Sequence, residues 1–208
     1  SLTLPGGASI APGSLVSIFG SGMAGAPASA STNPLPATLG GVSVTFNGLP
    51  AAILYVSPGQ INVQAPWALL EIDQQERTVP VVVTRDGRAS APFSATVARY
   101  SPALFTVSQF GSGPAVALNA ADGSFAHGVG ALPGRMSRPA RHGSVIAIYG
   151  NGLGGVTPSI PTGQVSPDIH RRTMANVEVL IGGRPADVLF AGLTGNVAGA
   201  NHLNVVVP

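Results

Sequence analysis

The feature that most constrains this chain is an internal duplication. Residues 48–66 return in degenerate form near the end, the first half as 183–190 and the second half, after a longer connection, as 202–208. Residues 143–155 repeat 13–25 in the same way, with Tyr149 answering Phe19 and Gly150 answering Gly20, and 177–181 answer 42–46. The spacing between paired segments grows along the chain, so strands are kept while the loops between them lengthen, as surface loops on a β fold do. A length of 208 residues then reads as two units of about a hundred. We place them at residues 1–100 and 101–208, with the boundary at Tyr100, Ser101 and Pro102.

Both units read as β. Residues 14–19 and 42–46 alternate apolar and polar side chains, the period-two signature of a strand with one buried face. Asn47 and Gly48 suit a type I′ hairpin turn, whose two central residues take positive φ, and residues 51–56 return as the partner strand. Residues 60–65 form a further strand, and 79–84 with 92–97 form a closing hairpin around Asp86 and Gly87. Residues 26–41 read as a loop, because Pro27, Pro34 and Pro36 break any helix there. Turn signals at such short intervals predict an antiparallel sandwich. The fold class is therefore all-β, two immunoglobulin-like sandwiches in tandem. Their cores are expected to draw on Leu15, Ile18, Val44, Phe46, Ile53, Tyr55, Ile61 and Val63 in the first unit. Val145, Ile148, Val179, Ile181, Val188, Phe190, Leu203 and Val205 are the counterparts in the second. Strand alternation admits only one of each neighbouring pair inward.

The pairing of Pro12-Gly13-Ser14-Leu15-Val16-Ser17-Ile18-Phe19-Gly20 with the run Ser57-Pro58-Gly59-Gln60-Ile61-Asn62-Val63-Gln64 resembles the Solibacter-type uncharacterised C-terminal domain family of large exported bacterial proteins. Ser101, Pro102, Ala103, Leu104 and Phe105 match that family's segment between repeats, so the resemblance spans nearly the whole chain. The family is similar in turn to immunoglobulin-like domains of the plexin and transcription-factor type. The resemblance implies a β-sandwich and an extracellular or cell-surface setting. It implies no activity.

The duplication is unequal in one place. About thirty residues follow Pro66 in the first copy and supply its closing hairpin; the second copy reaches Pro208 without one. A sandwich short of that hairpin is expected to leave His202, Leu203, Asn204, Val205, Val206 and Val207 as an open apolar edge, or part of its core uncovered, and proteins normally cover such edges. Three arrangements would do so. The chain continues beyond Pro208; the strands between Ala103 and Phe125 fill the place; or another copy donates a strand, with Leu2, Thr3, Leu4, Ala8, Ser9 and Ile10 as the donor segment. Donation of this heterologous kind builds filaments unless the rotation closes a ring.

Composition bears on function by exclusion. Only 9% of residues are charged, against roughly 25% in ordinary globular chains, and a surface so poor in charge is weakly protected against association. All ten basic residues are arginine and they are scattered, without the dense basic stripe and stacking aromatics of nucleic-acid binders. Cysteine is absent, so disulfides contribute nothing. No apolar run is long enough for a membrane helix, and Ser1 to Pro5 lack the pattern of a signal peptide.

No convergent polar site points to an enzyme or to a cofactor. His127, His142, His170 and His202 lack the spacing of metal ligands. Glu71, Asp73 and Glu76 lack the regular oxygen spacing of a calcium loop and read as a solvated connection. The glycine-rich runs 20–25 and 150–155 have no following helix N-terminus to receive a phosphate and read as structural turns. Arg135, Arg138, Arg141 and His142 form the densest basic patch, a candidate site for an anionic polysaccharide or lipid surface. Trp67 reads as a core or inter-unit plug, as large aromatics usually are. These features describe a non-enzymatic extracellular structural or adhesive module that self-associates through strand edges, with other copies or other domains of a larger exported protein as partners. The alternative is a carbohydrate-binding accessory module of such a protein.

Overall fold

The structure is a computed structural model and describes residues 9–71, 73–109, 111–167 and 171–208. It is all-β: among the described residues the only helical element is a single 3-10 turn at Trp67–Leu69. The first half carries β1 (Leu15–Phe19), β2 (Ala28–Ser29), β3 (Thr38–Leu39), β4 (Val42–Phe46), β5 (Leu49–Pro50), β6 (Ala52–Val56), β7 (Gln60–Gln64), β8 (Glu76–Arg85), β9 (Arg88–Ala89) and β10 (Phe93–Ala98). They form two sheets, ordered β1-β7-β6-β2 and β10-β8-β4-β3, with β5 beside β4 and β9 beside β8.

The two sheets pack face to face because alternation gives each one apolar side. Val16, Ile18, Ile61 and Val63 of the first meet Val44, Phe46, Val81 and Val83 of the second in one buried cluster. Leu15 and Tyr55 fall outside this core. Val16 and Ile18 take the inward positions on β1, so Leu15 points the other way, and Tyr55 lies beyond a register shift in β6 that turns it outward. Asn47 and Gly48 take φ of 51° and 79° and join Phe46 to Leu49, the expected primed hairpin. Within the stretch read as a loop, β2 and β3 add two-residue strands at the sheet margins.

Ile10 is not a free donor strand. It lies along β10 of its own chain, its N–H donating to the Thr96 carbonyl at 2.9 Å and its carbonyl accepting from Ala98 at 2.9 Å. Ser9 accepts a hydrogen bond from the Ser101 hydroxyl at 2.7 Å. Both are held within the chain, which corrects their assignment as a segment given to a neighbour. Leu2, Thr3, Leu4 and Ala8 lie outside the described residues.

The second half carries β11 (Ala103–Leu104), β12 (Ala117–Asn119), β13 (Val145–Asn151), β14 (Val156–Thr157), β15 (Arg172–Thr173), β16 (Val179–Ile181), β17 (Arg184–Ala186), β18 (Val188–Leu193) and β19 (Asn201–Val206). One sheet runs β11-β13-β19-β18-β15-β14, with β12 also on β13. Among the described residues, the second sheet of this half is the hairpin β16–β17.

This topology corrects the edge expected at His202 to Val207. β19 lies inside the sheet, paired with β13 on one side from Val145↔Val206 to Gly150↔Asn201 and with β18 on the other. The Val207 N–H donates to the Ser144 carbonyl at 2.9 Å. The strands between Ala103 and Phe125 were one of the arrangements expected to cover an open edge. They flank β13, where β11 and β12 pair with it.

Candidate functional site: the outer edge of β16

β16 is the counterpart of β4, and the comparison isolates what differs between the two halves. Each opens a two-residue hairpin, through Asn47 and Gly48 in one case and Gly182 and Gly183, at φ of 60° and 78°, in the other. β4 continues into β8 on its far side, in the register Val44↔Val83, Thr45↔Val82 and Phe46↔Val81. Among the described residues β16 pairs only with β17. Alternation of bonded and non-bonded pairs in an antiparallel ladder makes Ile181 and Arg184 the bonded pair next to the turn. It leaves the N–H and C=O of Leu180 directed to the far side, the groups that in Thr45 meet Val82.

Burial follows pairing. Val44 and Phe46 are wholly buried, whereas their counterparts Val179 and Ile181 are only half-buried, packed on the rim of the second core. Leu180 is 65% exposed. A groove of 310 Å³ continues the edge toward the junction of the halves, lined by Tyr100, Pro102, Leu153, Val177 and Glu178 among others. Leu153 belongs to the second core and Tyr100 is 45% exposed. The groove thus leads from solvent to the apolar interior beside an unpaired edge.

The basic residues have different surroundings. Arg138 and Arg141 line a cleft of 530 Å³ with Asn119 and Ser144. Arg135 instead lies over the Phe125 ring, 5.3 Å from its centroid, and His142 is an exposed turn residue. Arg138 is already engaged: its Nε donates to Asp122 at 2.7 Å. That bond, with two from Ser124, holds the Asp122 carboxyl at about 2, below the ordinary 3.8. An NMR titration is therefore expected to place Asp122 near that value, and Arg138→Ala to raise it. The sign follows from the depressed pKa: the pair's contribution is present above the ordinary carboxylate range and is lost as pH falls through about 2. An unchanged midpoint in the variant would show that Ser124 alone holds the carboxylate.

His202 sits on the outer face of β19. Its ring stacks on Phe190 at 4.6 Å and approaches Tyr149 at 6.1 Å, and burial pushes its pKa down, so the neutral ring is favoured. Arg172 lies over Phe190 at 5.0 Å. His127 Nε2 donates to the Ala115 carbonyl at 2.8 Å. His170 lies outside the described residues, among which no group of three His, Asp or Glu side chains is placed to share a metal ion.

The glycine runs shape turns: Gly22 takes φ of 65° with no atom near where a Cβ would sit, whereas the second run is closely packed. Gly152, at φ 82°, lies against the Ser101 carbonyl so closely that a Cβ would overlap it. The run 20–23 lines a cleft of 680 Å³ and is tied to β8 by Arg85, whose guanidinium donates to the Gly22 carbonyl at 3.0 Å. Trp67 packs on Val156, Ile160 and Leu193 of the second half, at the junction. No helix among the described residues is long and apolar enough to cross a membrane. No family model matches the chain, and no curated protein or solved structure does.

Proposed function

We propose that the chain is a non-enzymatic structural or adhesive module of the cell exterior, built of two immunoglobulin-like units, that joins other polypeptides by strand addition. Its acceptor is the outer edge of β16. The observation that carries this reading is the contrast between β4, flanked by β8 with Val44 and Phe46 wholly buried, and β16, which among the described residues has no strand on its outer side and leaves Val179 and Ile181 half-buried. An unpaired apolar edge is a template for another chain, and main-chain pairing with alternate side chains inserted is an established mode of recognition. The surface poor in charge supports association, and the resemblance to exported bacterial proteins supports the location.

Sedimentation across a range of concentrations, with negative-stain electron microscopy, tests it. Concentration-dependent assembly is expected, filamentous if the contact is heterologous, and Leu180→Lys should abolish it, because an edge lysine blocks pairing. Leu180 is largely solvent-exposed, so this substitution leaves the fold intact. Monomers at every concentration that are retained on an acidic polysaccharide column would overturn the reading in favour of a carbohydrate-binding accessory module.

A further inference from the structure

We infer that the strand received by β16 has the chemistry of β8: an extended segment, supplied by another polypeptide, with β-branched residues at alternate positions and a non-proline residue opposite Leu180. This rests on the strand-addition reading and specifies its partner. The first half supplies the reasoning, since β8 occupies the equivalent edge of β4. Val81 and Val83 face Phe46 and Val44, and all four are buried. A strand on β16 in the same register brings its alternate residues onto Ile181 and Val179, which retain exposed surface to bury. Leu180 stands where Thr45 stands and offers both main-chain groups to the residue in the place of Val82, so that residue must supply an N–H, which proline lacks.

The required length follows from β8, which runs past Val44 to pair Thr84 with Ser43 and Arg85 with Val42. The corresponding residues Glu178 and Val177 line the groove beside Tyr100 and Leu153, so the trailing end of the incoming strand lies over that groove. β8 itself is held between β4 and β10 in every copy. A copy that acts as donor therefore uses a segment outside its own cores.

A synthetic peptide with the sequence of residues 76–98 is the probe, titrated onto the full chain and followed by calorimetry. Saturable one-to-one binding is expected. N-methylation at the Val82 position should weaken it at least roughly tenfold, the worth of a main-chain hydrogen bond lost from a desolvated pair, as should Leu180→Lys in the protein. A peptide with Val81 and Val83 replaced by serine should fail to bind. Absence of binding, or binding indifferent to the N-methyl group, overturns the inference. A chain that takes up the peptide yet never self-associates overturns only the self-assembly proposed above. A chain that self-associates while ignoring the peptide overturns this inference and leaves that one standing.

Discussion

Phe46→Ala is expected to destabilise the first half by about 3–5 kcal/mol, the range for a fully buried aromatic truncated in a core that cannot collapse around the gap. Ile181→Ala, at the equivalent place in the second half, is expected to cost only about 1–2 kcal/mol, because that side chain is only partly buried. The first figure is a large fraction of a domain's total stability; the second is not. Phe46 belongs to the cluster shared by both sheets and is wholly buried, while Ile181 packs on the margin of a core whose second layer is a hairpin. Denaturant unfolding followed by circular dichroism would measure both. Equal losses would mean that β16 is as well covered as β4, and with that the acceptor edge would disappear. Bound peptide should raise the cost of Ile181→Ala toward the higher figure, since the strand completes its burial.

What the sequence discloses and what it conceals divide along a physical line. The all-β class, the strands around Ile18, Phe46 and Ile61 and the hairpin turn at Asn47 and Gly48 are legible because they depend on local chemistry: alternation within a strand and positive φ within a turn. Sheet order depends on pairing between distant residues, and the strand 201–206 carries no mark of whether it lies at an edge or between neighbours. The duplication predicts a deficient second copy, and among the described residues β16 lacks the partner that β8 gives β4. The deficiency falls one layer away from the residues singled out, because β8 in the first half pairs with β4 and not with β7. Gln64 was equally hidden. It follows Gln60 and Asn62 on one face of β7, an arrangement that reads as a solvated side, yet it is wholly buried because a loop of the second half lands on it.

That burial makes Gln64 the residue through which the two halves are expected to be coupled. Its Nε2 donates to the Gly13 carbonyl at 3.1 Å, and its Oε1 accepts from the Gly163 N–H at 2.6 Å. Around it, Gly163 accepts from the Leu35 N–H at 2.8 Å, the Thr162 hydroxyl accepts from the Trp67 N–H at 3.2 Å, and Asn151 donates to the Leu15 carbonyl at 3.0 Å. Gln64→Ala strands a buried carbonyl and a buried N–H at once. At about 1–3 kcal/mol for each of the two unsatisfied groups, a loss of roughly 2–6 kcal/mol is expected. Gln60, on the same face but partly exposed, has a side chain that donates along its own strand to Asn62 at 2.7 Å; its alanine variant should lose no more than about 1 kcal/mol. The informative readout is the shape of the thermal transition. The junction contacts favour melting of the parent chain as one unit, and Gln64→Ala should split that melting in two, with the fluorescence of Trp67, the chain's single tryptophan, changing in the earlier step as the junction opens. A variant that melts in one step with the parent's midpoint would show that the halves are held by the apolar contact of Trp67 with Val156, Ile160 and Leu193, and that the buried amide only fills space.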